Sequence, residues 1–500
     1  MFGPERYRCP ASDAFKAHGL RARERPELKP ETLEPFTNGP FMAAADELER
    51  ATDGPLASEP SRRRPRPVHD GVRQWTSHAL RMYHQAFADV PGLLASRRPW
   101  IYRYSGPASA GPEYRITAWG RYFESADGRL RELRLPVNRL RERTDAERAV
   151  AALVTAEGTP DPQVEEVRVV QFALSDGRTE IVFEGTRVEA VAAHRAHGAQ
   201  AVRALLDGRD YRPGSACASC TIAPACPGLR RAGGLLGVSD RSRPRRTWSS
   251  TTGRSHRTCP ARGYLRGLRL PVDDSRERSA AAERGRAVHT FLAERHRQWP
   301  HTPCPAEIPE DWVPEGYLLP DEERQLGARL LRHHAEVCPL RVLGPEPAIR
   351  IEPNLVFDDT AADLVVLAAP DLLYQDGNGA WVWRETKTSA SDRTCRDPLA
   401  SYPQLALAVQ IIASGVLGDG QAGGRVELEV LQPGGVDLRT IDPFAPRTRA
   451  AAEDSLREQV TGWHSEDLFT AVPGPDCAGC EVSRWCTARQ PGQIAPEATA

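Results

Sequence analysis

The sequence predicts a tandem α/β protein: two domains built to the same plan, each closed by four cysteines. Three observations predict it. A cysteine pattern occurs twice, one lysine stands nearly alone in an arginine-rich chain, and a strand–turn–strand pattern surrounds that lysine.

The bulk numbers set the frame. At 500 residues the chain exceeds one typical core. With 40% hydrophobic and 27% charged residues the composition is globular, and 43 prolines and 40 glycines leave room for long loops. The formal net charge is −1, so the overall balance gives no support for a nucleic-acid partner, and any such site must be a local patch. Two basic stretches qualify, SRRRPRP at 61–67 and RSRPRR at 241–246; solvated linker is the plainer reading of both. No apolar run approaches the roughly 18 residues of a membrane span, so no membrane partner is expected. The first ten residues, MFGPERYRCP, lack the apolar core of a signal peptide, which makes the cytoplasm the expected location. There the eleven cysteines stay reduced and read as metal or redox ligands rather than disulfides.

The cysteines carry the repeat. CASCTIAPAC holds Cys217, Cys220 and Cys226, and CAGCEVSRWC holds Cys477, Cys480 and Cys486, both spaced C-x2-C-x5-C. Each triplet has one upstream cysteine followed by proline, Cys9 and Cys259 respectively. Other segments agree: SADGRLRELRLPV (125–137) parallels YQDGNGAWVWRETK (374–387), and 164–183 resembles 425–441. The expected domains are 1–235 and 247–490, joined by a linker at 236–246 and followed by a loose tail at 491–500. Four thiolates per half can hold zinc or an iron–sulfur cluster. One CxxC pair per half, an x5 gap and a remote fourth cysteine favour [4Fe–4S], in one or both halves. Cys304, Cys338 and Cys395 have no counterparts and read as core thiols.

The chain has 66 basic residues, of which only Lys16, Lys29 and Lys387 are lysine. Lys387 lies in GAWVWRETKT, two residues after Glu385. Residues 363–374 read as one strand, QDGNG as a tight turn, and 380–388 as the returning strand. That hairpin puts Asp371 opposite residues 382 to 386, beside Glu385, and strand period two puts Glu385 and Lys387 on one face above Trp381 and Trp383. Two carboxylates and an ammonium then converge. Carboxylate oxygens suit Mg²⁺ or Mn²⁺, and lysine supplies a compact charge where arginine would supply a planar fork. The competing reading is a surface Glu–Lys pair. Upstream, 273–299 has a helical pattern with Asp273 or Asp274 as N-cap candidates, Val288, Phe291 and Leu292 on its core face, and His289 within GRAVH.

Together these features resemble the RecB/AddB-like branch of the PD-(D/E)XK nucleases, which includes iron–sulfur nucleases of helicase–nuclease repair complexes and a CRISPR-associated exonuclease. The resemblance covers most of the C-terminal half. Cys259–Leu265 looks like the family's CPxxxYL, Gly285 and His289 its G-x-x-x-H, Pro370–Asp371 its PD, Glu385 and Lys387 its E-x-K, and Cys477, Cys480 and Cys486 its closing triplet. It implies restriction-endonuclease-like α/β domains, each a mixed central sheet flanked by helices. It implies His289, Asp371 and Glu385 as ligands of Mg²⁺ or Mn²⁺, with Asp371, Glu385 and Lys387 catalytic, and Cys259, Cys477, Cys480 and Cys486 as cluster ligands. DNA is the implied partner, single-stranded or at ends, with exonuclease action in repair, recombination or defence. The family's Q-x-x-x-Y for DNA contact is matched by Gln404, but Ala408 stands where the tyrosine would be.

The N-terminal half departs further. Gly120 aligns with Asp371 and Ala43 with His289, while RLRELRLP offers Glu132 with Arg134, or Arg134 with Pro136, but no lysine. This half reads as a copy that lost its nuclease site and kept Cys9, Cys217, Cys220 and Cys226 as a second cluster. No G-x-x-x-x-G-K-[ST] loop occurs, so unwinding would require a separate helicase subunit. The alternative function is a catalytically inactive DNA-binding or adaptor subunit of a helicase–nuclease complex.

Overall fold

The computed structural model describes residues 9–488 apart from 21–28, 54–65, 89, 91, 97, 106–112, 160–162, 274–278, 344–347, 394 and 419–422. Most of the basic stretch at 61–67, the tail at 491–500 and Asp274 lie outside the described residues.

Cys9 leads into α1 (Pro10–Ala17), followed by α2 (Asn38–Asp53) and α3 (Asp70–Phe87). The strands of this half are β1 (Leu93–Ser96), β2 (Ile101–Ser105), β3 (Glu113–Thr117), β4 (Arg121–Ser125), β5 (Leu130–Val137), β6 (Glu166–Ala173) and β7 (Thr179–Thr186). Between β5 and β6 runs α4 (Asp145–Glu157), started by a capping box in which Thr144 and Glu147 each satisfy the other's backbone N–H. After β7 come α5 (Arg187–Ala193) and α6 (Ala199–Leu206). Five strands form one sheet in the order β1-β4-β5-β6-β7, with β5 and β6 parallel and the other neighbours antiparallel.

Further along lie β8 (Arg230–Ala232), β9 (Thr247–Trp248), α7 (Ser250–Thr258), α8 (Pro260–Gly267), α9 (Ala280–Gln298) and α10 (Asp321–Val337). Next come β10 (Ile349–Ile351), β11 (Leu355–Asp359), β12 (Leu364–Ala368), β13 (Leu372–Gln375) and β14 (Trp381–Thr388). The chain closes with α11 (Pro398–Ser401), α12 (Pro403–Ala413), β15 (Arg425–Gln432), β16 (Gly435–Ile441) and α13 (Pro446–Ser465). A second five-stranded sheet has the order β10-β13-β14-β15-β16, again parallel only at its third step, β14 to β15. Both halves are thus mixed sheets flanked by helices, with the same strand senses in the same order. A parallel pair needs a crossover. Here α12 supplies it, apolar except at Gln404 and Gln410 because it is wedged between the sheet and α13. Strand β14 is buried from Trp381 to Thr386, as a central strand covered on both faces must be.

Three expectations need correction. The run 363–374 is two strands, not one: β12 joins a four-stranded sheet in the order β8-β11-β12-β9, and β13 joins the five-stranded one. The break falls at Pro370, which has no N–H for a ladder and restricts the residue before it. The helix at 273–299 starts later, at Ala280, with Ser279 as N-cap accepting from the Ala282 N–H. Asp273 instead donates its backbone N–H to Glu481 O at 2.9 Å. The stretch at 241–246 is solvated only at its start, where Arg241 and Ser242 are exposed. Arg245 is 2.8 Å from Asp358, and Arg246 meets Glu31 at 2.6 Å and donates to the carbonyls of Trp463 and Glu466.

The halves interlock at their cysteine loops. Val482 and Trp485, from the C-terminal loop, pack with Val72 and Trp75 of α3. Ala223, Cys226 and Leu229, from the N-terminal loop, pack against Val356 of β11 and Val365 of β12.

Candidate active site and cysteine loops

The hairpin register builds the site. Leu372 pairs with Arg384 across β13 and β14, and continuing that register sets Asp371 opposite Glu385. Asp371 Oδ2 accepts from the Thr386 N–H at 2.7 Å, which fixes the carboxylate at the mouth of the hairpin. Lys387 Nζ stands 3.0 Å from Glu385 Oε2 and 3.5 Å from Asp371 Oδ2, and also donates to Thr386 O at 3.0 Å. Trp383 Nε1 donates to Glu385 Oε1 at 3.0 Å, so one of the two tryptophans placed below the site contacts its carboxylate. The other, Trp381, donates instead to Gly418 O.

His289 comes from α9. Its Nδ1 lies 3.4 Å from Asp371 Oδ1. The helix approaches β14 at Gly285, one turn before His289, where a Cβ would sit 3.1 Å from Thr388 Oγ1. The core-facing residues are as expected: Val288 and Leu292 are buried, with Phe291 packed beside them.

His289, Asp371 and Lys387 each keep about a quarter of their side-chain surface open, whereas Glu385 is almost fully covered. Burial alone would raise the Asp371 carboxyl, but His289 and Lys387 pull it below the usual aspartate range. Glu385 is the opposite case: burial and the Asp371 charge hold it above the usual glutamate range despite Lys387. Burial opposes the charges of His289 and Lys387, yet the carboxylates raise both, Asp371 acting most on the histidine and Glu385 most on the lysine. One ammonium shared by two carboxylates leaves a hard, oxygen-rich site with negative charge to spare. That fits a divalent cation held by His289, Asp371 and Glu385.

The corresponding place in the N-terminal sheet has different chemistry. Arg121 pairs with Arg134 there, as Leu372 pairs with Arg384, so Gly120 holds the position of Asp371. Leu135 and Val137 hold those of Glu385 and Lys387, one residue beyond the sequence frame on Arg134 and Pro136 and three beyond that on Glu132 and Arg134. The sequence frame slips because the N-terminal hairpin spans one residue more between these rungs, 121 to 134 against 372 to 384. Arg121 instead binds Asp46 and Glu49 of α2, and Arg134 lies over Phe87 and Phe123 while paired with Glu132 at 2.6 Å.

Each cysteine loop gathers its quartet. Cys259, Cys477, Cys480 and Cys486 line a cavity of about 250 Å³, and Cys9, Cys217, Cys220 and Cys226 line one of about 640 Å³. Backbone amides point at the sulfurs in matching places. Val472 N and Gly474 N lie 3.4 Å from the Sγ atoms of Cys259 and Cys477; Arg212 N and Gly214 N lie 3.5 and 3.4 Å from those of Cys9 and Cys217. Amide N–H groups directed at sulfur stabilise thiolates, so both loops could hold a metal or cluster. The larger cavity continues to Trp383, Gln404 and Leu407, with Lys16, Arg212 and Arg269 on its wall. Gln404 sits in the first turn of α12 with Oε1 buried and unpaired, and Ala408 is fully buried one turn on.

Sequence reasoning missed one group. Among the described residues, His296, Cys304, His334 and Cys338 bring their ligand atoms within 4.8 Å of one another, and all four are buried. The available signal was His334-x3-Cys338 at the end of a helix, with His296 shortly before Cys304.

The β-hairpin thus sets a lysine between two carboxylates, beside a helix-borne histidine. Residues 247–487 match the PD-(D/E)XK nuclease superfamily, whose members are generally nucleases that act on DNA with divalent metals. The matched stretch contains every member of the cluster. No curated protein matches the chain. Among solved structures, one described as the crystal structure of SSO0001 is 15% identical with a TM-score of 0.19, over 29% of this chain and 62% of that one. The chain therefore spans less than two thirds of that structure's length. No described helix is long and apolar enough to cross a membrane.

Proposed function

We propose that this protein is a Mg²⁺- or Mn²⁺-dependent deoxyribonuclease acting on single-stranded DNA or DNA ends, with one catalytic half and one that has lost catalysis. The observation that carries this is the Lys387 ammonium between Glu385 and Asp371, with His289 against Asp371, inside the matched segment. His289, Asp371 and Glu385 are the metal ligands; the bound metal supplies a polarised phosphoryl oxygen and a water of usable pKa. Lys387 fixes the carboxylate spacing and offers positive charge where the phosphate gains negative charge. Trp383 orients Glu385, and Gln404 with the cationic wall of the larger cavity serves the DNA strand.

The matching strand senses of the two five-stranded sheets and the matching amide–sulfur contacts support an origin by duplication, with domains at 1–235 and 247–490 around the packed connection at 236–246. In the first domain Gly120, Leu135 and Val137 stand where the metal-site residues would be, leaving a scaffold or strand guide. The quartet Cys259, Cys477, Cys480 and Cys486 holds a [4Fe–4S] cluster, and Cys9, Cys217, Cys220 and Cys226 form the second site. A RecB-like role beside a separate helicase subunit in the cytoplasm fits such an enzyme.

End-labelled single- and double-stranded DNA, incubated with Mg²⁺ or Mn²⁺, tests the reading. Cleavage that Lys387→Ala abolishes is expected, and the product ladder reports exonuclease action. Absence of cleavage under every metal and substrate, with DNA binding retained, would replace it with the inactive adaptor. Stoichiometric iron and sulfide with visible absorption are expected for the cluster; zinc without iron would overturn that part.

A further inference from the structure

Away from the carboxylate–lysine site, α9, α10 and the loop between them enclose a second constellation. Cys304 Sγ lies 3.4 Å from His296 Nε2, and Cys338 Sγ lies 3.9 Å from the same nitrogen. Cys304 N lies 3.4 Å from Cys338 Sγ. The His296 and His334 rings stand 5.4 Å apart, centroid to centroid. We propose that His296, Cys304, His334 and Cys338 form a closed Cys₂His₂ site that binds one structural Zn²⁺.

Three observations support zinc over a plain cluster of core side chains. The first is spacing. Bonds of about 2.3 Å to sulfur and about 2.0 Å to nitrogen at tetrahedral angles put a sulfur and a nitrogen ligand roughly 3.6 Å apart, within a few tenths of the two distances found. The second is the tautomer of His334. Its Nδ1 is 2.7 Å from Glu429 Oε1, and the Arg384 guanidinium stands 3.8 Å from the same carboxylate, which is an acceptor. The Nδ1 proton therefore belongs to that hydrogen bond, and in the neutral ring Nε2 keeps its lone pair. This atom is fully buried, faces Cys338 and makes no hydrogen bond of ordinary geometry. A buried imidazole with one nitrogen fixed by a carboxylate and the other open is the arrangement of a metal-ligating histidine. The third is completeness: two thiols and two imidazoles close a four-coordinate shell, as structural zinc requires.

The site has a consequence for the architecture. His296 follows His289 on α9 by two helical turns, about 10 Å along the same face. Glu429 also accepts from Thr386 Oγ1 at 3.1 Å, and Thr386 is the β14 residue whose N–H holds Asp371. Zinc would pin α9, α10 and the 299–320 loop together, with the His334–Glu429 hydrogen bond tying them to β15. The inference stands apart from the nuclease reading, because it concerns metal content and not cleavage.

The test uses the full-length protein. Zinc, iron and acid-labile sulfide are counted per chain, and Co²⁺ is exchanged in as a spectroscopic probe. One zinc per chain is expected, with Co²⁺ giving the ligand-field bands of a tetrahedral two-thiolate, two-imidazole site. Cys304→Ser with Cys338→Ser should lose that one equivalent and keep iron and sulfide unchanged. His334→Asn, a smaller change, should release zinc to a chelator at least tenfold faster than wild type. Zinc-free wild-type protein with no Co²⁺ spectrum would overturn the proposal. So would a Cys304–Cys338 disulfide in native protein, or a zinc equivalent that survives the double substitution.

Discussion

Lys387 Nζ lies 3.0 Å from Glu385 Oε2, on the same strand and the same face, and its reach to Asp371 Oδ2 is only half an ångström longer. The ammonium is a formal positive charge set between two carboxylates that would otherwise repel. Replacing it with alanine removes charge stabilisation of the reacting phosphate, an effect of about 10²–10³-fold or more on rate. Lys387→Arg should fare little better, because a planar fork does not fit a point-charge position. Both variants should remain folded by circular dichroism: Glu385, already raised, can take up a proton and relieve the uncompensated charge. DNA cleavage by purified variants at matched metal concentration checks this.

Glu385 must be ionised to hold a cation, and burial with the neighbouring Asp371 charge raises its pKa. Protons therefore compete with the metal above the ordinary glutamate range, and apparent Mg²⁺ affinity should weaken as pH falls through that raised value. The Trp383 N–H favours the charged form. Trp383→Phe should move the onset of weakening to higher pH by about one unit, the equivalent of one charge-assisted hydrogen bond of roughly 1.5 kcal/mol. Mg²⁺ titrations of cleavage at several pH values measure it; an unshifted profile would remove Trp383 from the site.

Gly285 sets how closely α9 lies on β14. A methyl there meets only the Thr388 hydroxyl, at 3.1 Å, which can rotate away, so Gly285→Ala should be mild. Gly285→Val adds branches that must lift the helix, at about 1–3 kcal/mol of stability. A displacement near 1 Å would take His289 from Asp371 and cost activity on the order of 10²-fold. Comparing cleavage with urea midpoints for the two variants separates misplacement from unfolding.

The carboxylate–lysine convergence was legible in the sequence because every part of it is local. A turn pattern fixes the register, strand period fixes the face, and a rare lysine marks the place. The break at Pro370 was missed because the apolar pattern runs straight through it, and only the sheet assignment reveals two strands. The Arg245–Asp358 and Arg246–Glu31 pairs were missed for the opposite reason. Their partners lie far away in sequence, so a basic run reads as solvated until the carboxylates that bury it are in view. Cys304 and Cys338 are buried as core thiols should be, but His296 and His334 come to them from two different helices, and linear spacing shows only one His–Cys pair at helical distance.

Trp485 links the cysteine loop of one half to the core of the other. Its ring is buried, sits edge-on to Trp75 with centroids 4.9 Å apart, and donates Nε1 to Pro271 O at 2.7 Å. It directly precedes Cys486, so packing on α3 of the N-terminal half holds that cysteine of the C-terminal loop in place. Trp485→Ala removes a large buried ring and should cost about 3–5 kcal/mol. Because Trp75 lies in the other half, the loss should lower the unfolding midpoint of both halves together. Peptide-resolved hydrogen exchange would then show α3 and the 477–486 loop opening in the same step. If α3 stays protected while the loop alone opens, the two halves are adjacent but energetically independent. Iron retained per chain gives a separate reading: it should fall in Trp485→Ala and fall less in Trp485→Phe, which keeps an aromatic ring but loses part of the indole's bulk and its hydrogen bond to Pro271.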